Sequence, residues 1–276
     1  MPRVTAVAGL RRGSRRLDRA LYEGQARLAR HFATIEHGDP VDIHQARIAC
    51  RRLRSLLKSF KPHFDRRRAA AYRRKLGRVA GLCAEVRELD VLATQPGMRR
   101  APVLRALTSA REAGVRHLRR RLHTAAGLRA LALDGPTAAQ LGLDPDLTGD
   151  DVVRTVRRRW RRVDRLLRHD TKQLEVSHEL RIELKNLRYI IESTQDLCGS
   201  GIDALQAGLR AAQAFLGEER DLACARAWLE RSGLPAAVNR GALGQLQRRS
   251  RALAARRPGV LRRLERAGRR WYQSDQ

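Results

Sequence analysis

The sequence is poor in aromatic residues, acidic residues and lysine. Phe, Trp and Tyr make up 4% of its 276 residues, too few for the stacking platforms that hold single-stranded nucleic acid. Its cysteines, Cys50, Cys83, Cys198 and Cys224, lie far apart with no Cys-x-x-Cys pair. That spacing opposes a disulfide frame or a zinc site and suits buried core thiols in a reducing cytoplasm. No stretch approaches the roughly 18 apolar residues of a membrane span. The apolar run behind Met1-Pro2-Arg3 is too short for a signal peptide. A cytoplasmic protein without membrane attachment is the expectation.

What the sequence does have is positive charge. Against 29 Asp and Glu stand 58 Lys and Arg, a formal net charge of +29. Only Lys58, Lys61, Lys75, Lys172 and Lys185 are lysine, which leaves 53 arginines. Such a surplus opposes compaction by self-repulsion and calls for a polyanionic partner. Arginine's flat, forked guanidinium suits phosphate and carboxylate. Because 42% of the residues are hydrophobic, the chain can still bury a core and is not a disordered basic tail. Its length suits one large domain or two small ones.

Ala, Leu, Arg, Glu and Gln dominate and β-branched runs are absent, so almost every segment reads as helix. Helices are predicted over about 15–36, 40–60, 66–83, 86–94 and 103–124. A Pro- and Gly-containing acidic linker over 134–151 follows. Further helices are predicted over about 152–168, 176–197, 203–216, 219–231, 235–256 and 258–272. The architecture expected is two successive antiparallel helical bundles, one per half (1–133 and 152–276).

The halves repeat. His44-Gln-Ala-Arg47-Ile-Ala-Cys-Arg51-Arg52-Leu53-Arg54 aligns without a gap to His178-Glu-Leu-Arg181-Ile-Glu-Leu-Lys185-Asn186-Leu187-Arg188, 134 residues later. A second match pairs Glu85-Val-Arg87-Glu88-Leu89-Asp90 with Glu218-Glu-Arg220-Asp221-Leu222-Ala223. The chain is an internal duplication. At about 100° per residue, His44, Arg47, Arg51, Arg54 and Lys58 form one stripe, with Ala46, Ala49, Cys50, Leu53, Leu56, Leu57 and Phe60 opposite. His178, Arg181, Lys185 and Arg188 repeat the stripe against Leu180, Leu184, Leu187, Ile190 and Ile191. A single basic stripe is ordinarily the solvated face of an amphipathic helix. Stacked like charges cost a few tenths of a kcal/mol per pair, however, and a solvated face has no need of the same His/Arg order twice. A row of cations about 5.4 Å apart can follow a linear polymer of phosphates.

In these two His-centred helices and their follow-on segments the chain resembles the CHAD family, the conserved histidine α-helical domain, across essentially its whole length. Glu88, where the family usually has Asp, Asn186, where a second basic residue is common, and Glu192, aligned with Lys58, depart from its pattern. The resemblance implies an all-α unit of two four-helix bundles related by a pseudo-twofold axis, with the basic helices facing a central groove or pore. It also implies binding of inorganic polyphosphate and association with polyphosphate granules. The positions it assigns to the polymer are His44, Arg47, Arg51, Arg52, Arg54 and Lys58, then His178, Arg181, Lys185 and Arg188. Arg74, Lys75, Arg78 and Arg210 are expected as secondary basic lining. Arg87 with Asp90, and Arg220 with Asp221, are expected as ion pairs between helices.

A bound anion would draw His44 and His178 toward their protonated forms. Metal ligation by them finds no support, since their only acidic neighbours, Glu179 and Glu183, point elsewhere on the helix. No cofactor or metal is expected. The competing reading is a nucleic-acid-binding protein, because +29 attracts DNA and RNA non-specifically. It lacks a recognition motif. An enzyme acting on polyphosphate is disfavoured for want of a Walker loop, a Glu-x-Glu-x-Lys site or a repeated carboxylate cluster for Mg²⁺.

Overall fold

The structure is a computed structural model that describes residues 11–124 and 134–274. Residues 1–10 and 125–133 of the predicted first half, and 275–276 of the second, lie outside the described residues. The helices are α1 (Arg12–Phe32), α2 (Pro40–Ser59), α3 (Arg66–Leu82), α4 (Ala84–Ala93) and α5 (Ala101–Thr124), then α6 (Gly149–Leu167), α7 (Leu174–Thr194), α8 (Ile202–Arg231) and α9 (Ala236–Gln273). Single 3₁₀ turns over Ile35–His37, Lys61–His63 and Gln195–Leu197 complete them, and no strand occurs among the described residues. The fold is all-α.

Local chemistry sets the boundaries. The Asp39 carboxylate accepts from the N–H groups of Val41 (2.7 Å) and Asp42 (3.1 Å), with Pro40 at the first helical position of α2. These contacts satisfy amides that have no partner within the helix. At α6, Asp151 N–H donates to the Thr148 hydroxyl at 3.2 Å and Thr148 N–H donates to the Asp151 carboxylate at 3.0 Å, a reciprocal capping box. The last three residues of the predicted linker therefore belong to α6. Residues 134–148 run close against the first half. Asp65 N–H donates to Leu141 O (3.0 Å), Asp144 N–H to His63 O (2.9 Å) and Ser14 N–H to Leu147 O (3.0 Å), while Leu141 and Leu147 are buried.

Within the first half α2 packs between α1 and α3, and α4 packs on α5; in the second, α6, α7, α8 and α9 pack in succession. The halves meet chiefly where α2 lies on α7, with smaller contacts of α1 on α6 and α7 and of α4 on α8. Every apolar residue predicted opposite the two basic stripes is buried, and these side chains belong to one continuous apolar cluster. Each large aliphatic among them contributes about 1.5–3 kcal/mol of burial.

Two predicted breaks do not occur. Residues 203–216 and 219–231 form one helix, α8, that runs through Gly217. A helical glycine costs about 1 kcal/mol relative to alanine, but Phe215, Leu216, Leu222 and Ala225 keep one buried face across it. Residues 235–256 and 258–272 likewise form one helix, α9, with Pro258 inside it. Proline deprives the preceding turn of a hydrogen bond. Leu253 on one side and Val260, Leu261 and Leu264 on the other are nonetheless buried. α9 also requires glycine at Gly268, where an added β-carbon would stand 1.9 Å from the Trp160 ring of α6.

A basic groove at the crossing of the repeated helices

α2 and α7 cross antiparallel. Arg52 Nη2 lies 2.8 Å from Glu192 Oε2, Ser55 Oγ donates to Asn186 Oδ1 at 2.9 Å, and Lys58 Nζ lies 3.8 Å from Glu183 Oε1. Partners ascend along one helix while they descend along the other. The start of each basic stripe therefore lies beside the end of the other, and the equivalent residues Arg51 and Lys185 share the middle.

The crossing forms two basins. The first, about 780 Å³, is lined by His44, Arg47, Arg51, Lys185 and Arg188, with Arg87 of α4 and Arg220 of α8. The second, about 890 Å³, is lined by Arg54, Lys58 and His178, with Arg73, Arg74 and Arg78 of α3. Arg51, Arg181 and Lys185 line both, so they form a waist between the basins. The second basin has eight Arg or Lys side chains in its wall and no carboxylate. The first has Glu88, Glu218 and Asp221; Glu218 is held by Arg249 at 2.5 Å.

Crowding and burial act on the charges. Burial, then Arg51, Arg181 and Arg220, push the Lys185 amine down to about 7. Burial and the nearby Arg87, Arg51 and Arg47 hold His44 below the usual imidazole value. Both shifts reflect burial first, and then positive charge gathered without enough counter-charge. The guanidiniums keep their protons under any ordinary condition.

Most of the residues predicted for the polymer converge here, but not all do so as free cations. Arg47 donates to Ala80 O at 2.6 Å. Arg188 lies over the Tyr189 ring at 4.7 Å and meets Glu192 at 3.0 Å. Lys58 leans on Glu183, a buried carboxylate that also meets Arg159 (3.0 Å) and Arg162 (3.6 Å) of α6. Arg52 lines neither basin; with Glu192 it ties α2 to α7. Of the secondary positions, Arg74 and Arg78 line the second basin. Lys75 and Arg210 line neither, and Arg210 donates to Gln206 one turn away at 3.0 Å.

Of the two ion pairs expected between helices, Arg87 with Asp90 is not observed, and Arg220 with Asp221 is present but within one helix. Asp90 is taken by Arg111 at 2.5 Å, which also donates to Gly38 O at 2.6 Å, so Arg87 faces the first basin instead. Arg220 and Asp221 approach only to 3.9 Å, are neighbours on α8, and both face that basin. Cys224 lines it as well, whereas Cys50, Cys83 and Cys198 are buried. Arg87 and Arg220 are thus groove residues that sequence reasoning assigned elsewhere. The signal for them was already visible, since they occupy matching places in the second repeated segment.

Among the described residues no three His, Cys, Asp or Glu side chains stand close enough to hold a metal ion. Nor is any helix there long and apolar enough to cross a membrane.

The chain is similar in structure to the CHAD domain from the plant Ricinus communis, with 22% identity and a TM-score of 0.62. That match covers 93% of this chain and 91% of the other. It is also similar to PptA from Streptomyces chartreusis, with 19% identity, a TM-score of 0.64, and coverage of 92% and 98%. At such identities the likeness shows a shared fold. No curated protein sequence matches the chain. The sequence matches the family model of the CHAD domain over residues 19–230, most of its length, and the chain belongs to the CHAD domain family.

Proposed function

We propose that the protein binds inorganic polyphosphate along the groove between α2 and α7, without turning it over, and that this binding directs it to polyphosphate granules in the cytoplasm. The observation that carries the reading is the waist. Arg51, Arg181 and Lys185 connect two basins, one of which has eight cationic side chains and no acid. An unbranched chain with one negative charge per unit matches that layout, because it can pass from basin to basin while meeting a cation at each turn of helix. The predicted arrangement of two pseudo-symmetric four-helix bundles belongs to the same proposal. The two halves act as one binding unit, since the first supplies Arg51 and the second Arg181 and Lys185 to the waist.

Nucleic acid is the second reading, favoured only by the overall +29. Tyr189, the single Phe, Trp or Tyr in either basin wall, is buried, with Arg188 and Arg52 against its ring, and offers no free stacking face. Competition at equal phosphate concentration separates the two. Polyphosphate is expected to displace duplex DNA, and a preference for DNA would overturn the proposal. Release of phosphate from polyphosphate in the presence of Mg²⁺ or Mn²⁺ would overturn the claim that binding occurs without turnover.

A further inference from the structure

Lys185 occupies an unusual position for a lysine. Its side chain is half-buried at the waist, lines both basins, and makes no hydrogen bond or ion pair among the described residues. Lys58, on the other stripe, has Glu183 at 3.8 Å. Around Lys185 the charges are mostly positive. Its own helix supplies His178, Arg181 and Arg188, α2 supplies His44, Arg47, Arg51, Arg54 and Lys58, and α4 supplies Arg87 with Glu88. α8 contributes Arg220 and Asp221, 3.9 Å apart, together with Cys224 and the Arg249-bound Glu218. From the second basin α3 adds Arg73, Arg74 and Arg78 and no acid. Of the α6 cations, Arg159 meets Glu183 and Arg162 meets Glu179.

A guanidinium cannot relieve such crowding by losing a proton, whereas an amine can. We propose that Lys185 is the proton-linked cation of this groove: it gives up its charge in the crowded, empty waist and regains a proton when a polyphosphate chain settles against it. The inference rests on the polyphosphate reading. The free amine is pushed down to about 7 by burial and by Arg51, Arg181 and Arg220, and an adjacent phosphate acts in the opposite direction.

The sign follows from linkage. Binding favours the protonated form, so affinity is full below the free value and falls as pH rises toward the value in the complex. If the complex restores an ordinary lysine, affinity drops roughly fiftyfold between pH 7 and pH 9.

Two measurements test this on the intact chain. The first is ¹³C reductive methylation of the five lysines, with Lys185 assigned by Lys185→Arg. In the free protein its signal should titrate near neutral pH, apart from the other four; titration together with them would sink the inference. The second is affinity for long-chain polyphosphate, whose few end groups contribute little titration, at pH 7 and 9 and constant ionic strength. Wild type should weaken and Lys185→Arg should hold its affinity. An equal loss in both removes Lys185 as the linked group and leaves the polyphosphate reading standing. Absence of binding by wild type at pH 7 overturns both.

Discussion

Reversing the waist, with Arg51→Glu and Lys185→Glu together, should separate binding from folding. Each residue lines both basins, so the double variant places two carboxylates at the waist between them. A charge-assisted hydrogen bond is worth about 1.5–3 kcal/mol. Loss of two predicts a fall in polyphosphate affinity of roughly 10²- to 10⁴-fold, before the added repulsion is counted. The salt dependence should change too. By analogy with single-stranded nucleic acid, each neutralised phosphate contributes about −0.7 to the log–log slope, so the double variant should lose about 1.4 from it. Stability should move the other way. The empty waist gathers cations that repel one another, and carboxylates among Arg181, Arg220 and Arg87 make new pairs. Gains of a few tenths to about 1 kcal/mol are expected, as for partly solvated ion pairs. Calorimetric titration with long-chain polyphosphate at two salt concentrations, beside a thermal melt, reads all three effects. A folded double variant that binds with wild-type affinity and slope would show that the polymer does not use this groove.

The remaining predictions concern what holds the groove in place. Gly268→Ala should lower stability by about 3 kcal/mol, because the new methyl needs space held by the Trp160 ring and the gain in helix propensity is only about 1 kcal/mol; an unchanged melting temperature would refute that packing. Glu183→Gln removes a buried carboxylate shared by Arg159, Arg162 and Lys58, at a cost of about 3 kcal/mol by denaturant unfolding. Thr148→Val breaks the capping box and should cost about 1 kcal/mol. Thr148 also holds the Asp151 carboxyl down to about 2, first through its hydroxyl. A depressed acid stabilises the fold above its unfolded value near 4 and loses that contribution as pH falls through 2. Acid unfolding of Thr148→Val should therefore show a smaller pH dependence between those limits than wild type, the remainder coming from the Thr148 amide and Arg154.

Helix content and the buried faces of α2 and α7 were legible in the sequence, because a period of 3.6 places Leu53, Leu57, Leu184 and Leu187 on one side whatever the partner. Helix ends were read well where a side chain caps them, as at Asp39. They were misread where only Gly217 or the Arg257-Pro258 step suggested a break. A local cost of about 1–3 kcal/mol for such a residue is overridden when buried residues on both sides continue one face. Pairing was the weakest inference. Asp90 chooses Arg111 of α5 over Arg87 three residues away, and nothing in the linear order shows which guanidinium another helix delivers.

The sequence by itself determined that there are two equivalent basic stripes, since duplication and helical period are both properties of the linear order. Only the tertiary structure decided what those stripes become. The antiparallel crossing of α2 on α7 places Arg51 and Lys185 at one waist and takes Arg52 out of it to meet Glu192. It also brings Arg87 and Arg220 in from α4 and α8. Burial and repulsion depend on distances between residues far apart in the chain, so the lowered Lys185 amine belongs to the fold and to no segment of the sequence alone.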